Sequence, residues 1–417
     1  MFEKVILFLV LLVPCMPKIM ITEGVTMYPA EILLAVCFPF LAKYIKLPVQ
    51  KYILYVWIFI LLSTIISCFY ILNTGGLMRC YKEIIYIPIL ILAYKNKTLR
   101  LKHILYFYII ACLVNYFILV DYGFNLTDYS IWNKELLSSG LSNRYVDLSM
   151  NMGILPGGSH GIWLQYNVLC LSISIIAYHI DKVSKYLVGS VIFFFISNLA
   201  ISASREGLIS AFLLVLGCLF SHSVKNGKLK LKGSTIVVLF AIIMLVIGMV
   251  SYLGESLGMV QKIMYTVESL NDSGQEQNVT LRLNAWKVFL LSLIEYPYMI
   301  IWGYGFNGDY YQSFLSFVPN SIKNNFVAIP ESFFVETFMY GGILCFIYGI
   351  KFWKSIYIYI QKCTNLKIRY ILFGLFWGLL FGNMFSGASI ICDVLYSQFL
   401  IFMGVIYRYQ KRDEMVK

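Results

Sequence analysis

Charge is what this chain has least of. Only 13% of its 417 residues are charged and 60% are hydrophobic, against roughly 25% charge in an ordinary soluble domain. That composition excludes a water-soluble enzyme, which at this length would divide into domains joined by polar linkers. No CxxC occurs among the ten cysteines, and most of them (Cys15, Cys37, Cys68, Cys112, Cys170, Cys218, Cys345, Cys392) fall inside apolar runs. Small packing residues therefore account for them better than metal or disulfide chemistry. The formal charge of +12 is not arranged as a basic stripe interleaved with aromatics, which argues against a nucleic-acid partner. No GxSxG, P-loop, HExxH or GxGxxG pattern occurs in a context that would carry weight, and no internal repeat is visible. The apolar N-terminal run Val5–Val13 lacks a small-x-small cleavage site before Pro14-Cys15, and reads as an uncleaved first span.

What is present is one apolar run after another, each long enough to cross a hydrocarbon core of ~30 Å as a helix. The expected spans are 4–21, 28–46, 52–72, 77–94, 103–120, 161–180, 185–203, 206–222, 234–252, 331–352, 367–384 and 388–407. The fold class is all-α, a polytopic membrane bundle of about twelve helices forming a single integral domain over 1–417. About 23 of the 33 lysines and arginines fall in alternate breaks and at the two ends. By the positive-inside rule that side is cytoplasmic, so both termini are expected inside and the protein in a bacterial cytoplasmic (inner) membrane. The aromatic content of 17% fits interfacial Tyr and Trp belts and Phe-rich spans.

Two breaks on the outer side are large. Residues 121–160 are polar and turn-rich, with Asn125, Asp128, Asn143 and Pro156-Gly157-Gly158, and read as a surface loop. Residues 253–330 form a longer outer loop with an interfacial helix near 278–295. That helix would bury Leu281, Leu283, Trp286, Phe289, Leu290, Leu293 and Ile294 while Arg282 and Lys287 meet headgroups. A re-entrant dip into the bilayer is the alternative.

The residues with chemistry to offer are few. Arg205, in Ser202-Ala203-Ser204-Arg205-Glu206-Gly207, joins two spans on the outer side. It is either a snorkelling or Glu206-paired arginine, or a planar fork for a diphosphate. Arg282 lies four residues before Trp286 and shares a helix face with it. It is either a headgroup contact or a second phosphate clamp, which would neutralise a leaving diphosphate without a metal. Glu331, after Pro330, stabilises a helix start or acts as a general base; Glu336 lies five residues on. Arg79 and Lys82 open the fourth span with Glu83 after Gly75-Gly76; they belong to an outer anion site or to i,i+4 pairing. Asp393 lies inside the last span, where a carboxylate is either functional or paired. His160, in Gly157-Gly158-Ser159-His160-Gly161, is a loop histidine or a substrate contact; His103, His179 and His222 flank cytoplasmic ends and read as structural. Gly303 and Gly305, in Trp302-Gly303-Tyr304-Gly305, form a glycine pair without a clear helix start after it.

Three of these stretches carry a resemblance: Ser204-Arg205 between spans; Arg282-x-x-x-Trp286 with Pro297 and Gly303-x-Gly305; and Glu331-Ser332-Phe333-Phe334 with Gly341-Gly342-Ile343. With the span pattern, they make the chain resemble the O-antigen polymerase and O-antigen ligase family of bacterial envelope enzymes. The resemblance implies glycan transfer at the outer face of the membrane from an undecaprenyl-diphosphate-linked donor, with no cofactor and no metal. It implies that Arg205 and Arg282 hold the lipid diphosphate, with Arg79, Trp286, Gly303, Gly305 and His160 as further substrate contacts. Ligases of the family commonly carry a histidine–asparagine pair where this chain has Glu331-Ser332. That departure turns the expectation toward a polymerase making an O-antigen or capsule-type polysaccharide, with Glu331 as the candidate base. Partners on that reading are lipid-linked glycans, the bilayer and, as a further candidate, a chain-length regulator. A ligase passing finished glycan to a lipid or protein acceptor is the alternative. A lipid-linked oligosaccharide flippase is the rival from another class, for which related halves and short outer loops would be expected.

Overall fold

The structure, a computed structural model, describes residues 2–16, 19–22, 25–124, 160–201, 205–225, 228–229, 277–318, 332–385 and 393–416. The expected span 234–252, the loop 121–160 beyond residue 124, and most of 253–330 outside 277–318 lie outside the described residues. The helices are α1 (Phe2–Leu12), α2 (Pro29–Leu41), α3 (Pro48–Cys68), α4 (Thr74–Tyr86), α5 (Ile89–Lys95), α6 (Leu101–Phe124), α7 (His160–Ile180) and α8 (Lys185–Ile201). They continue as α9 (Arg205–His222), α10 (Gln277–Glu295), α11 (Met299–Trp302), α12 (Gly308–Ser313), α13 (Phe333–Gln361), α14 (Leu366–Phe385) and α15 (Asp393–Val416). Two short antiparallel hairpins, Ile19–Thr22 with Val25–Met27 and Val224–Lys225 with Lys228–Leu229, complete the described elements. The chain is thus a helical membrane protein. Among the described residues, Pro48–Cys68, Trp163–Ile180 and Phe333–Gln361 are long and apolar enough to cross a bilayer; Leu101–Phe117, Lys185–Leu199 and Gly207–His222 are shorter apolar helices.

Proline decides where several helices start and stop. Pro48 opens α3 at the position where its missing N–H costs nothing. Gln50 then turns back, its Oε1 accepting from the Lys46 and Leu47 amides at 3.1 Å each, and its Nε2 donates 2.7 Å to the Ile87 carbonyl. That carbonyl lies at Pro88, which breaks the expected span 77–94 into α4 and α5. Pro14 has the same effect on the expected first span. Instead of a continuous helix over 4–21, α1 ends at Leu12, a tight turn covers Val13–Cys15, and Ile19–Thr22 is a strand. The expected span 331–352 is also corrected: α13 runs 29 residues to Gln361 and bends at Gly342, where φ is 70° and ψ −168°.

Helix contacts rest on small residues and on buried polar links, as they must where lipid supplies no hydrophobic drive between helices. Gly374, Gly378 and Gly382 recur every four residues on α14; the first two pack against α9, and Gly382 lies against Gln165 of α7 as well as Ser210 of α9. A Cβ on Gly374 would lie 2.7 Å from the Leu213 carbonyl, and one on Gly378 would lie 2.8 Å from that of Ser210. Ser210 Oγ donates to the Gly378 carbonyl at 2.7 Å. Farther along the bundle, Asn198 on α8 donates through Nδ2 to Asn167 Oδ1 on α7 at 2.8 Å, and its Oδ1 accepts from Trp163 Nε1 at 3.2 Å. Tyr108 of α6 donates its hydroxyl to the same Asn167 Oδ1. Outward faces remain apolar: Phe117, Phe193 and Ile196 are all more than half exposed, the pattern of helices solvated by lipid rather than water.

Gly374→Leu is expected to lower stability by about 1–3 kcal/mol, because the added side chain meets backbone that cannot yield. Gly189→Ala, with nothing within 4 Å of its Cβ, is expected to be neutral or stabilising by up to ~1 kcal/mol. Thermal unfolding in detergent measures both; equal losses in the two variants would refute the close-packing account of α9 and α14.

Candidate functional site

The two ends of the bundle differ chemically. At one end, Arg408 donates to the carbonyls of Ala93, Asn96 and Leu99, and Asp181 accepts from Tyr409 OH and, at 3.0 Å, from the Leu101 amide. The start of α3 and the end of α13 meet there too, with Lys351, Lys354, Lys362 and Lys411. Chain direction then puts the other ends of these helices together. The starts of α4, α7, α9, α13 and α15 all fall at the end away from the lysines.

At that far end, the segment 302–307 threads between α3 and α13. The bend at Gly342 is what admits it. Tyr304 N donates to the Met339 carbonyl at 2.7 Å and Gly305 N to that of Tyr340 at 3.0 Å. These are carbonyls that a straight helix would pair with Ile343 and Leu344. From the other side, Ser63 Oγ donates to the Trp302 carbonyl, and Phe306 N donates to Thr64 Oγ1 at 2.8 Å. Asn307 Nδ2 donates to the Ile71 carbonyl at 2.8 Å, and Asn73 Nδ2 to that of Phe306 at 3.3 Å. These bonds return the backbone groups of the segment to protein partners, as irregular backbone at membrane depth requires.

Gly303 and Gly305, expected as a substrate loop, therefore have a packing role. Both have φ of 70°. Their amides are spent on Met299 and Tyr340 carbonyls, so neither presents a free N–H to an anion. A Cβ at Gly303 would sit 2.7 Å from Gly342 N and Met339 O, and one at Gly305 would sit 2.7 Å from Ser63 O. Tyr304 is fully buried and donates its hydroxyl to Ser292 Oγ of α10 at 2.9 Å.

Beside this segment lies a buried ionic group. Glu31, at the third position of α2, is fully buried; its carboxylate accepts from the Tyr28 amide at 2.7 Å and from Tyr86 OH at 3.0 Å. Lys82 Nζ sits 3.4 Å from it. Arg79 Nε lies 3.7 Å from Glu83 Oε1, so the i,i+4 pairing is present, but the arginine side chain is 42% exposed and the glutamate is buried. The Arg79 guanidinium lies over the Phe306 ring at 5.6 Å, and Tyr340 lies within electrostatic reach of both Arg79 and Glu336. Burial of unpaired charge would be prohibitive here, and pairing makes it tolerable. Arg79 alone of this group reaches outward.

The remaining expected residues are placed only in part. Arg205 is the first residue of α9, His160 the first of α7 and Asp393 the first of α15; their side chains lie outside the described residues, as does Glu331 altogether. Arg205 as a cation at the positive end of a helix dipole opposes the usual preference. Arg282 is within α10, its side chain also outside the described residues. Seven residues on, Phe289 packs edge-on against Phe338 of α13 with centroids 5.7 Å apart. Arg282 is thus about 10 Å along the helix from that contact. Trp286 is half-buried, and its indole N–H has no hydrogen-bond partner among the described residues.

The expected apolar face of α10 divides in two: Phe289 and Leu293, with Ala285 and Val288, are buried against protein, while Leu290 and Ile294 face outward. Both sides of this helix are apolar, one against protein and the other away from it. Periodicity could not separate two apolar faces. Glu31, Tyr86, Tyr340, Phe306 and Asn307 also escaped the sequence reading. Their signals are the acid at the third position of α2 and the polar Ser63-Thr64 and Ser67 on the apolar α3.

These features define a helical membrane protein with a polar, partly ionic centre at one end of its bundle. Residues 190–349 match the family model described as O-antigen ligase, in line with the resemblance read from the motifs. The match contains α9, α10, the 302–307 segment and the bend of α13. Among curated proteins, none matches the chain.

Gly303→Ala or Gly342→Ala is expected to destabilise by about 2–6 kcal/mol, combining backbone strain and steric overlap. Thr64→Val is expected to cost about 1–3 kcal/mol by leaving the Phe306 amide without an acceptor. Unfolding midpoints report all three, and a Thr64→Val protein as stable as wild type would show that the segment is not held by this bond.

Proposed function

We propose that the protein is a glycan polymerase of the cytoplasmic (inner) membrane, using polyprenyl-diphosphate-linked oligosaccharide donors at the outer face. The observation that carries the reading is that the family-matched region holds Arg205, Arg282 and the entry to α13. The bundle brings the starts of α4, α9 and α13 to the end away from the lysines. With the lysine-rich end inside, that centre faces outward. About twelve spans, both termini inside, and 253–330 as the large outer loop complete the proposed topology.

In the proposed reaction, a hydroxyl at the non-reducing end of one lipid-linked repeat attacks the anomeric carbon of the chain held on a second carrier. The new glycosidic C–O bond forms as the bond to the diphosphate breaks, with inversion; the hydroxyl proton passes to Glu331 and the polyprenyl diphosphate leaves. The leaving group is already good, so the protein's task is to position the reactants and neutralise charge. Arg205 and Arg282 take the diphosphate. Arg79, held over Phe306 and paired with Glu83, adds positive charge. The Trp286 N–H, without a hydrogen-bond partner among the described residues, donates to the glycan or phosphate, and His160 contacts substrate. Gly303 and Gly305 act indirectly, by fixing the 302–307 segment. A chain-length regulator is the proposed protein partner.

The family description favours a second reading, ligation of finished glycan to an acceptor. Glu331-Ser332, in place of the histidine–asparagine pair, supports the polymerase.

Arg205→Ala and Arg282→Ala are each expected to abolish long-chain glycan at unchanged protein level, and lysine at either position is expected to rescue poorly because it lacks the bidentate fork. Glu331→Gln is expected to slow transfer by about 10²–10⁴-fold. Electrophoretic glycan profiles decide: wild-type chain-length distributions in both arginine variants would sink the mechanism. In a deletion strain, single repeats indicate a lost polymerase, whereas long chains stranded on the carrier lipid indicate a lost ligase.

A further inference from the structure

At the lysine-rich end, a cavity of about 540 Å³ opens between the start of α3, the α5 helix and the ends of α13 and α15. Its size falls in the range of small-molecule sites. Its inner wall is apolar, formed by Leu47, Leu90, Ile356 and Met403. Its rim is cationic: Lys351, Lys354, Lys362 and Lys411 line it, and no lining side chain is acidic. Lys351 and Lys354 stand on the last turns of α13 and Lys362 is its C-cap, with Ser355 between them. All four are exposed, and Lys351 is positioned 4.9 Å over the Tyr348 ring. Gln410, which also lines the cavity, has a buried Nε2 without a hydrogen-bond partner among the described residues.

We propose that this cavity binds an anionic phospholipid of the surrounding leaflet, its phosphate among Lys351, Lys354 and Lys362 and its acyl chains against Leu47, Leu90 and Met403. An apolar slot rimmed by lysines matches a molecule that is anionic at one end and hydrocarbon at the other. A zwitterionic lipid has the same hydrocarbon but cancels its own charge, and a soluble anion leaves the apolar wall unfilled. Clustered cations immediately beside a membrane helix attract anionic headgroups through the negative surface potential of the leaflet. The site is distinct from the proposed transfer centre, which lies at the opposite end of the bundle. Its occupancy would brace α3 against α13, the same two helices that grip the 302–307 segment.

The test is native mass spectrometry of the full-length protein in detergent, titrated with phosphatidylglycerol, phosphatidylethanolamine or inorganic phosphate. Wild type is expected to retain phosphatidylglycerol preferentially, and Lys351→Gln/Lys354→Gln/Lys362→Gln to lose that retention by roughly tenfold or more. The corresponding triple arginine variant, which keeps the charge, is expected to bind like wild type. Lys182→Gln/Lys185→Gln, outside the cavity, is expected to leave retention unchanged. A matching elution volume and circular dichroism spectrum for the glutamine variant establish that it is folded; if it is not, Ile356→Trp, which fills the cavity wall and leaves the lysines in place, is expected to give the same loss. Equal retention of the two lipids, retention unchanged in the folded glutamine variant, or inorganic phosphate competing fully with phosphatidylglycerol would each overturn the proposal.

Discussion

Everything at the candidate centre depends on one constraint: in hydrocarbon, a backbone N–H or C=O that leaves a helix must find its partner in protein. The bend at Gly342 turns that constraint into structure. It presents the Met339 and Tyr340 carbonyls sideways, and the Tyr304 and Gly305 amides donate to them. Three glycines at φ 70° make the approach sterically possible, and hydroxyls from α3 close the opposite side. A non-helical stretch is thereby hydrogen-bonded to helices on both sides. It carries Phe306 to the guanidinium of Arg79 and ties α10 to the bundle through Tyr304 and Ser292.

The same logic governs the charges. Glu31, Lys82 and Glu83 are buried, and each lies within an ion pair or hydrogen bond. Such groups are costly to dehydrate and add little net stability. Their effect is to fix α2 against α4 and to leave Arg79 directed outward with a defined neighbourhood. At the opposite end, lysines remain exposed around an apolar cavity. The bundle is therefore polar in a directional sense, with paired charge and threaded backbone at one end and open positive charge at the other. The predicted orientation in the membrane and the proposed separation of glycan and lipid sites both follow from that asymmetry.

Much of the helix pattern was legible beforehand. The expected 161–180, 185–203, 206–222 and 367–384 agree closely with His160–Ile180, Lys185–Ile201, Arg205–His222 and Leu366–Phe385, because an unbroken apolar run has no good alternative to a helix in lipid. The misreadings share a cause. Pro14 and Pro88 sit inside runs whose hydrophobicity continues across them, so composition hid the breaks. In α10 both faces are apolar, so periodicity could not tell the residues packed on protein from Leu290 and Ile294, which face outward. For Gly303 and Gly305, a glycine pair suggests either a ligand cradle or a close backbone approach. Only the partner helices distinguish the two.

Sequence alone determined the class of protein, the positions of most helices, the side on which lysines gather and the family motifs around Arg205, Arg282 and Glu331. These are local properties, set by run length, charge placement and short patterns that need no neighbour to be read. Tertiary structure alone decided that residues 302–307 lie between α3 and α13, that Glu31 meets Lys82 across 51 positions of chain, and that lysines from α13 and α15 enclose an apolar cavity. Such contacts arise from where helices cross, and crossing is set by small residues and backbone bonds contributed by distant segments.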